Sequence, residues 1–137
     1  MEALVRFQPS DQVTVGTIEG ATVLDGMNVT GFGDRVIEYV KDKSGLHLLL
    51  DFDNITYMSS AGLTELLRIN HALGASNGSI RLCNLSCDIR KVFQITNLDR
   101  LFAIHEDENV EAAVRRYERS LTIAADEDAW ENQDTGA

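Results

Sequence analysis

Asp51-Phe-Asp-Asn-Ile-Thr-Tyr-Met-Ser-Ser-Ala-Gly-Leu63 is the segment of this 137-residue chain in which the sequence pattern changes from strand to helix. It overlaps the apolar run Leu46-His-Leu-Leu-Leu-Asp-Phe52, whose three consecutive leucines indicate a strand covered on both faces. Asp53-Asn54 predicts a turn, and Ile55-Thr-Tyr-Met58 is apolar again. Ser59-Ser60 then begins a segment in which leucines recur with helical spacing. We therefore predict a central strand followed by a helix that starts at the two serines.

The rest of the chain alternates in the same way between strand-like and helix-like patterns. Because alternating elements around an all-apolar central strand favour parallel pairing, we predict an α/β fold with a small, mixed, mostly parallel sheet and helices packed on it. The predicted strands include Val13–Ile18, Val23-Leu24, Ser79–Cys83 and Phe102–Ile104, and the predicted helices include 32–40, 63–73, 89–93 and 110–121.

The last fourteen residues differ in composition from the rest of the chain. Residues 124–137 carry five acidic residues and no Lys or Arg, and Trp130 is their one large aromatic residue. Such a segment buries too little apolar surface to offset the entropy of ordering. We predict a single domain at residues 1–123 and an acidic, disordered tail at residues 124–137.

The overall charge argues against two classes of partner. The chain has a formal net charge of −10. Nucleic acid requires a basic face, and an anionic membrane surface attracts basic segments, so we expect neither as a partner. No apolar run approaches the roughly 20 residues that span a bilayer, and the N-terminus does not resemble a signal peptide. We therefore expect a cytoplasmic protein without membrane insertion.

The cysteines and histidines do not suggest a cofactor. Cys83 and Cys87 are too few for a disulfide framework, which fits a reducing compartment, and we interpret both as small packing residues. A metal site would need further ligands, but His47, His71 and His105 are scattered along the chain. We predict neither a metal nor another cofactor.

Ser59 and Ser60 allow two interpretations. A serine at the start of a helix commonly caps it, because the hydroxyl accepts a hydrogen bond from a backbone N–H that has no helical partner. The same N–H groups and the positive end of the helix dipole also favour a phosphate group. The local pattern alone favours the cap.

Residues 51–63 resemble the signature of STAS domains, particularly of bacterial anti-sigma factor antagonists. The resemblance continues in Lys91-Val-Phe-Gln-Ile-Thr-Asn-Leu-Asp-Arg-Leu-Phe102 and Glu111-Ala-Ala113, and covers approximately residues 10–120. It implies that Ser60, two residues before Gly62, is phosphorylated by a partner kinase, with Ser59 as the fallback. The position of Ser59 is often aspartate in the best-known members.

The resemblance also implies a partner and a binding surface. The unphosphorylated protein would bind a kinase-type anti-sigma factor, itself a serine kinase, and phosphorylation at Ser60 would abolish this binding. The family's early Gly-x-Leu-Asp turn is stretched here to Gly20-Ala-Thr-Val-Leu-Asp25, so Asp25 is either the acidic residue facing the partner or a turn former. The implied partner-binding residues are Asp25, Ser59, Ser60, Ala61, Gly62 and Leu63.

Two other function classes stay open. A STAS scaffold or transporter-associated module would keep the fold without being phosphorylated. A serine hydrolase is disfavoured, because Met58 stands where the nucleophile elbow Gly-x-Ser-x-Gly needs its first glycine. No pairing of a histidine with an acid can be assigned either. We therefore predict a binding protein and not an enzyme.

Overall fold

The computed structural model describes residues 2–106 and 109–135 of the chain. They form seven strands, four α-helices and one short 3-10 helix at Leu98–Arg100. The strands are β1 (Leu4–Pro9), β2 (Val13–Glu19), β3 (Val23–Leu24), β4 (His47–Asp51), β5 (Tyr57–Met58), β6 (Ser79–Cys83) and β7 (Ala103–His105). The helices are α1 (Val29–Val40), α2 (Ser60–Ala75), α3 (Cys87–Ile95) and α4 (Val110–Thr135).

The main sheet has five strands in the order β1-β2-β4-β6-β7. Only β1 and β2 pair antiparallel, and the other three pairs are parallel. The strand β4 lies at the centre, and Leu48, Leu49 and Leu50 are completely buried because both faces of the sheet are covered. The predicted α/β fold with a mostly parallel sheet and four helices is confirmed.

The two faces of the sheet are covered differently. Apolar side chains from α1, α2 and α3 pack with Leu48 and Leu50 into the larger core. On the other face, α4 packs against Leu49 through Ala113 and Tyr117 and forms a smaller core. Strand alternation explains the division, since successive side chains point to opposite faces.

A polar seam accompanies the apolar contacts of α4. The ring of His47 and the hydroxyl of Tyr117 both hydrogen bond to the Ser79 hydroxyl, the former with 2.7 Å between Nδ1 and Oγ. The guanidinium of Arg81 lies 4.4 Å from the centre of the Tyr117 ring and donates a hydrogen bond of 2.9 Å to the Ser120 hydroxyl. The seam fixes the register of α4 on the sheet.

Three details differ from the sequence predictions. The strand β1 was not predicted, although Val5 and Phe7 alternate with polar residues, and Pro9 fits there because β1 is an edge strand. The two-residue strand β5 is held by tertiary pairing and is too short for a periodic signal. The helix α4 continues through Thr135, beyond the predicted end at residue 121, and the alanines and glutamates of this segment favour helix. The acidic, disordered tail at residues 124–137 stays a prediction. Residues 136–137 lie outside the described range, and the domain boundary at 123 stays a prediction.

None of the helices in the described part of the chain is both long enough and apolar enough to cross a membrane.

Candidate functional site

The two predicted serines lie beside the turn that contains Asp25. The strands β3 and β5 pair in parallel, with Leu24 opposite Met58. The residues that follow these two strands, Asp25 and Ser59, therefore emerge at the same end of the pair. The backbone N–H of Ser59 donates a hydrogen bond of 2.9 Å to the Leu24 carbonyl. This small sheet brings together site residues that are 34 positions apart.

Ser60 is the exposed member of the serine pair. It is the first residue of α2, as predicted, and its side chain lies at the surface. Its position in the first turn puts it at the positive end of a 16-residue helix. A phosphate group on this hydroxyl would meet a favourable field and backbone N–H donors.

Ser59 occupies the capping position but does not cap the helix. Its backbone is extended, with φ −79° and ψ 173°, and its carbonyl accepts the N–H groups of Gly62 at 2.9 Å and Leu63 at 3.3 Å. Its Oγ is buried and has no hydrogen-bond partner among the described residues. The expected capping hydrogen bond of a serine is therefore absent from α2, and the prediction of a hydroxyl cap is wrong here.

Gly62 is required by the packing of Met58. A Cβ atom at Gly62 would overlap the Met58 Cγ and would lie 2.9 Å from its Sδ. Met58 itself is only 4% exposed, so its side chain has little space into which to move. The glycine thus allows the helix to begin directly over the end of β5.

The other predicted binding residues in α2 are less accessible than Ser60. Ala61 is partly buried, and Gly62 and Leu63 are buried against the larger core. One turn further on, Thr64 is exposed and donates a hydrogen bond of 3.2 Å to the Ser60 carbonyl. Ser60 is therefore the accessible residue among the predicted binding residues of α2, and Thr64, which the sequence analysis did not include, is exposed one turn away.

Asp25 is built into a hydrogen-bonded turn. Its Oδ1 accepts the N–H of Met27 at 2.9 Å, and its own N–H donates to the Asn28 Oδ1 at 3.1 Å. The Asn28 amide also donates to the Val23 carbonyl at 2.7 Å. Of the two interpretations of Asp25, the turn former is the one whose geometry is present, while contact with a partner stays a prediction.

A salt-bridged cluster holds α2 against α1. The Arg68 guanidinium lies 2.8 Å from a carboxylate oxygen of Asp34 on α1 and 2.8 Å from one of Glu65 on α2. Hydrogen bonds to Asp34 and then to Glu65 raise the pKa of Arg68 above its usual value. Gly33 lies directly beneath the Glu65 carboxylate, where a Cβ atom would collide with it. The cluster joins the middle of α1 to α2 at the protein surface.

The histidines do not converge on the serines. His47 and His105 belong to the sheet, and both contact Tyr117 on the face covered by α4, whereas α2 packs on the opposite face. His71 lies eleven residues after Ser60 in α2, about 16 Å along the helix axis. No group of three or more His, Cys, Asp or Glu side chains within residues 2–106 and 109–124 could hold a metal ion.

The two cysteines have different environments. Cys83 is buried in the smaller core, as expected of a packing residue. Cys87, at the first position of α3, is exposed, so its prediction as a packing residue is wrong. The exposure follows from the amphipathic helix α3, which buries Ile89 and Phe93 on its other side.

The sequence analysis missed one further surface residue, which lies in the turn after Asp25. Met27 is 92% exposed, the largest fraction among the large apolar residues described. Its sequence context, between Asp25-Gly26 and Asn28, is that of a turn tip. An apolar residue surrounded by turn formers was the available signal.

Comparison with known proteins identifies the family and some relatives. The family model described as STAS domain matches residues 6–113. The chain is 38% identical over 56 residues to a STAS-domain containing protein of Pseudomonas aeruginosa (strain UCBPP-PA14). It is 32% identical over 72 residues to BtrV of Bordetella bronchiseptica (strain ATCC BAA-588 / NCTC 13252 / RB50), which is described as a candidate anti-sigma factor antagonist. These matches cover 41% and 53% of this chain and span 55% and 62% of the two relatives.

The solved structures agree on the fold. The crystal structure of an anti-sigma factor antagonist from Mycobacterium paratuberculosis superimposes with a TM-score of 0.69. The alignment covers 84% of this chain and 93% of that chain at 20% sequence identity. At that identity, the similarity concerns the arrangement of strands and helices.

Proposed function

This chain belongs to the STAS domain family, and from that premise we propose that it is an anti-sigma factor antagonist controlled by phosphorylation of Ser60. The unphosphorylated protein binds a kinase-type anti-sigma factor in the cytoplasm. Sequestration of that partner releases a sigma factor. Phosphorylation of Ser60 by the same partner ends the interaction.

The observation that carries the proposal is the contrast between the two serines. Ser60 is exposed at the N-terminus of α2, whereas the Ser59 hydroxyl is buried. A kinase must reach the hydroxyl oxygen that attacks the γ-phosphate of ATP. That requirement supports Ser60 as the acceptor and disfavours the fallback, Ser59.

Phosphorylation would act on the interface more than on the fold. A phosphoserine adds about −1.5 to −2 charges at pH 7. The helix N-terminus stabilises such a charge by about 0.3–1 kcal/mol, so the domain tolerates it. In a complex formed around the uncharged hydroxyl, the phosphate must be desolvated without a matching cation. The desolvation cost is on the order of several kcal/mol, which lowers the affinity by orders of magnitude.

The acceptor is tested by incubating the protein with its cognate kinase and ATP, followed by peptide mass spectrometry. We expect one phosphate on Ser60 in the parent protein and none in Ser60→Ala. Ser59→Ala is the matched control and should be modified at the parental rate. Modification of Ser60→Ala as fast as the parent would contradict the assignment.

Three further measurements separate this function from the alternatives. Affinity capture from the source cells should recover an ATP-binding kinase, and recovery of membrane transport components alone would favour a transporter-associated module. A covalent serine-hydrolase probe should leave Ser60 unlabelled, and specific labelling there would favour an enzyme. Intact mass before and after phosphatase treatment should reveal a phosphorylated fraction in the cells.

A further inference from the structure

We propose that Met27 is the apolar anchor of the partner interface and that Asp25 acts by positioning Met27. The occupant of this surface is the kinase-type anti-sigma factor that phosphorylates Ser60, so the inference rests on the proposed function. The partner contributes a concave apolar surface that encloses the Met27 side chain. Asp25 contributes through the turn that its carboxylate closes.

The first argument is the exposure of Met27. An isolated exposed apolar side chain is ordinary, but 92% exposure of a methionine at a turn tip leaves almost the whole thioether in water. Methionine is enriched at protein interfaces, and its unbranched, polarisable side chain adapts to irregular apolar surfaces. Enclosing it removes that apolar surface from water, which favours association.

The second argument is the rigidity of the turn. The Asp25 Oδ1 holds the Met27 N–H at 2.9 Å, and the Asn28 side chain bridges the Asp25 N–H and the Val23 carbonyl. The Asn28 and Val29 N–H groups also donate to the Asp25 carbonyl, at 3.2 and 2.9 Å. A side chain carried by an ordered backbone loses less entropy on binding than one carried by a flexible loop.

The third argument is continuity with Ser60. The pairing of β3 with β5 places the turn after Leu24 beside the serines after Met58. A partner that covers Ser60 therefore meets the adjacent turn as well. Met27 lies two residues beyond Asp25 in this turn, and an apolar contact buried there would exclude water from the interface.

The surroundings of Met27 indicate the chemistry of the contact. Two cavities of about 270 and 210 Å³ lie on either side of it. The first is lined by Ala21, Thr22 and Val23 together with the turn. In the second, the charges of Arg35 and Glu2 are paired at 3.2 Å. With small side chains on one side and a paired charge on the other, the surface fits apolar side chains of the partner.

The role of Asp25 follows from its hydrogen bond. The oxygen that accepts the Met27 N–H is an acceptor that asparagine also supplies. If Asp25 is a positioning residue, Asp25→Asn keeps the turn and the affinity, while Asp25→Ala loses both. If its charge faces a cation of the partner, both substitutions weaken binding equally.

The experiment measures the affinity of the kinase-type anti-sigma factor for four variants by isothermal titration calorimetry. Met27→Gln keeps the length of the side chain and removes its apolar character, and we expect the affinity to fall about tenfold or more. Met27→Leu should bind within about threefold of the parent, because it restores an apolar group. The two Asp25 variants should differ in affinity. Asp25→Asn should bind about as tightly as the parent, whereas Asp25→Ala should lose about as much affinity as Met27→Gln.

Ile95→Gln is the matched control. Ile95 is 80% exposed and is the last residue of α3, about 12 Å along the helix axis from Cys87. It should bind like the parent, and circular dichroism should show the same fold for every variant. Parental affinity in Met27→Gln overturns the anchor while leaving the proposed function intact. Absence of any binding by the parent protein overturns both.

Discussion

The N–H of Ser59 donates a 2.9 Å hydrogen bond to the carbonyl of Leu24, and this contact joins the two surface segments that the proposed function requires. Leu24 ends β3 immediately before the Asp25 turn, and Ser59 directly follows β5, immediately before Ser60. The Ser59–Leu24 hydrogen bond is made by backbone groups. Modification of the Ser60 side chain therefore leaves the frame of the site in place.

Phosphorylation of Ser60 should change affinity without unfolding the domain. The added charge lies at the N-terminus of α2, which stabilises anions by about 0.3–1 kcal/mol. We expect the melting temperature of the phosphorylated protein to equal that of the parent or to rise by a few degrees, about 2–8 °C per kcal/mol. Circular dichroism melting of the purified phosphoprotein measures it, with Ser60→Asp as a partial mimic. A marked drop in melting temperature would mean that the switch operates by unfolding.

Replacing Ser59 by alanine should be neutral or stabilising. Alanine at a helix cap normally costs about 1 kcal/mol, because a capping hydrogen bond is lost. Ser59 makes no such bond, and its buried Oγ has no partner among the described residues. An unsatisfied buried hydroxyl is unfavourable by about 1–3 kcal/mol, part of which alanine removes.

Ser86 provides the comparison for Ser59. It caps α3 by accepting the Ile89 N–H at 3.2 Å, so Ser86→Ala should lower stability by about 1 kcal/mol. Urea denaturation of the two variants and the parent measures both effects. Equal destabilisation by the two substitutions would show that the Ser59 hydroxyl has a hydrogen bond in solution.

The parts of the site that could be predicted are those with a local signal. The change from an apolar run to helical spacing predicts both the central strand β4 and the start of α2 near Ser59-Ser60, since each depends on contiguous residues. The unsatisfied hydroxyl of Ser59 and the partnered carboxylate of Asp25 depend on pairing between distant segments. The exposure of Met27 is likewise a tertiary property, which composition does not reveal.

The two cysteines should differ sharply in reactivity. Burial, together with the smaller effects of the negative charges of Asp51 and Asp53, raises the pKa of the Cys83 thiol to about 12. The thiolate is the reactive form, so Cys83 should resist alkylation at pH 8, whereas the exposed Cys87 should react. Mass spectrometry after N-ethylmaleimide treatment should find one label on the native protein and two after unfolding in urea. Rapid double labelling of native protein would contradict the buried position of Cys83.

Acidification should weaken the attachment of α4 through His47. Desolvation, followed by the charge of Arg81, lowers the pKa of His47 below the ordinary value of 6.5. The same seam places Ser79 and Tyr117 against the ring. Above about pH 6.5 the ring is neutral in both the folded and the unfolded protein. Below that pH the unfolded chain binds the proton first, so stability falls until the lowered folded pKa is passed and then levels off.

His47→Gln removes this contribution while keeping a polar group near Ser79. The difference in free energy of unfolding between the parent and His47→Gln should therefore shift against the parent as pH falls from 7 to 5. Carboxylates titrate in both proteins, so their effect cancels in the difference. A difference that is constant across this range would show that His47 binds its proton equally in the two states.

Alanine substitutions at two glycines of α2 should change the free energy of unfolding in opposite directions. Glycine within a helix is less favourable than alanine by about 0.5–1 kcal/mol, so substitution stabilises wherever space allows. A Cβ atom at Gly74 would have no neighbour within 4 Å, and Gly74→Ala should therefore raise the free energy of unfolding by about that amount. A Cβ atom at Gly62 would overlap the buried Met58, and relieving the overlap must displace Met58 or the start of the helix. We expect Gly62→Ala to lower stability by about 1–3 kcal/mol, as in other overpacked cores.

Because Ser59 and Ser60 lie between Met58 and Gly62, the same substitution should also slow phosphorylation of Ser60, while Gly74→Ala should not. Urea denaturation and a kinase time course on the two variants test both statements, and stabilisation by Gly62→Ala would show that Met58 can move aside.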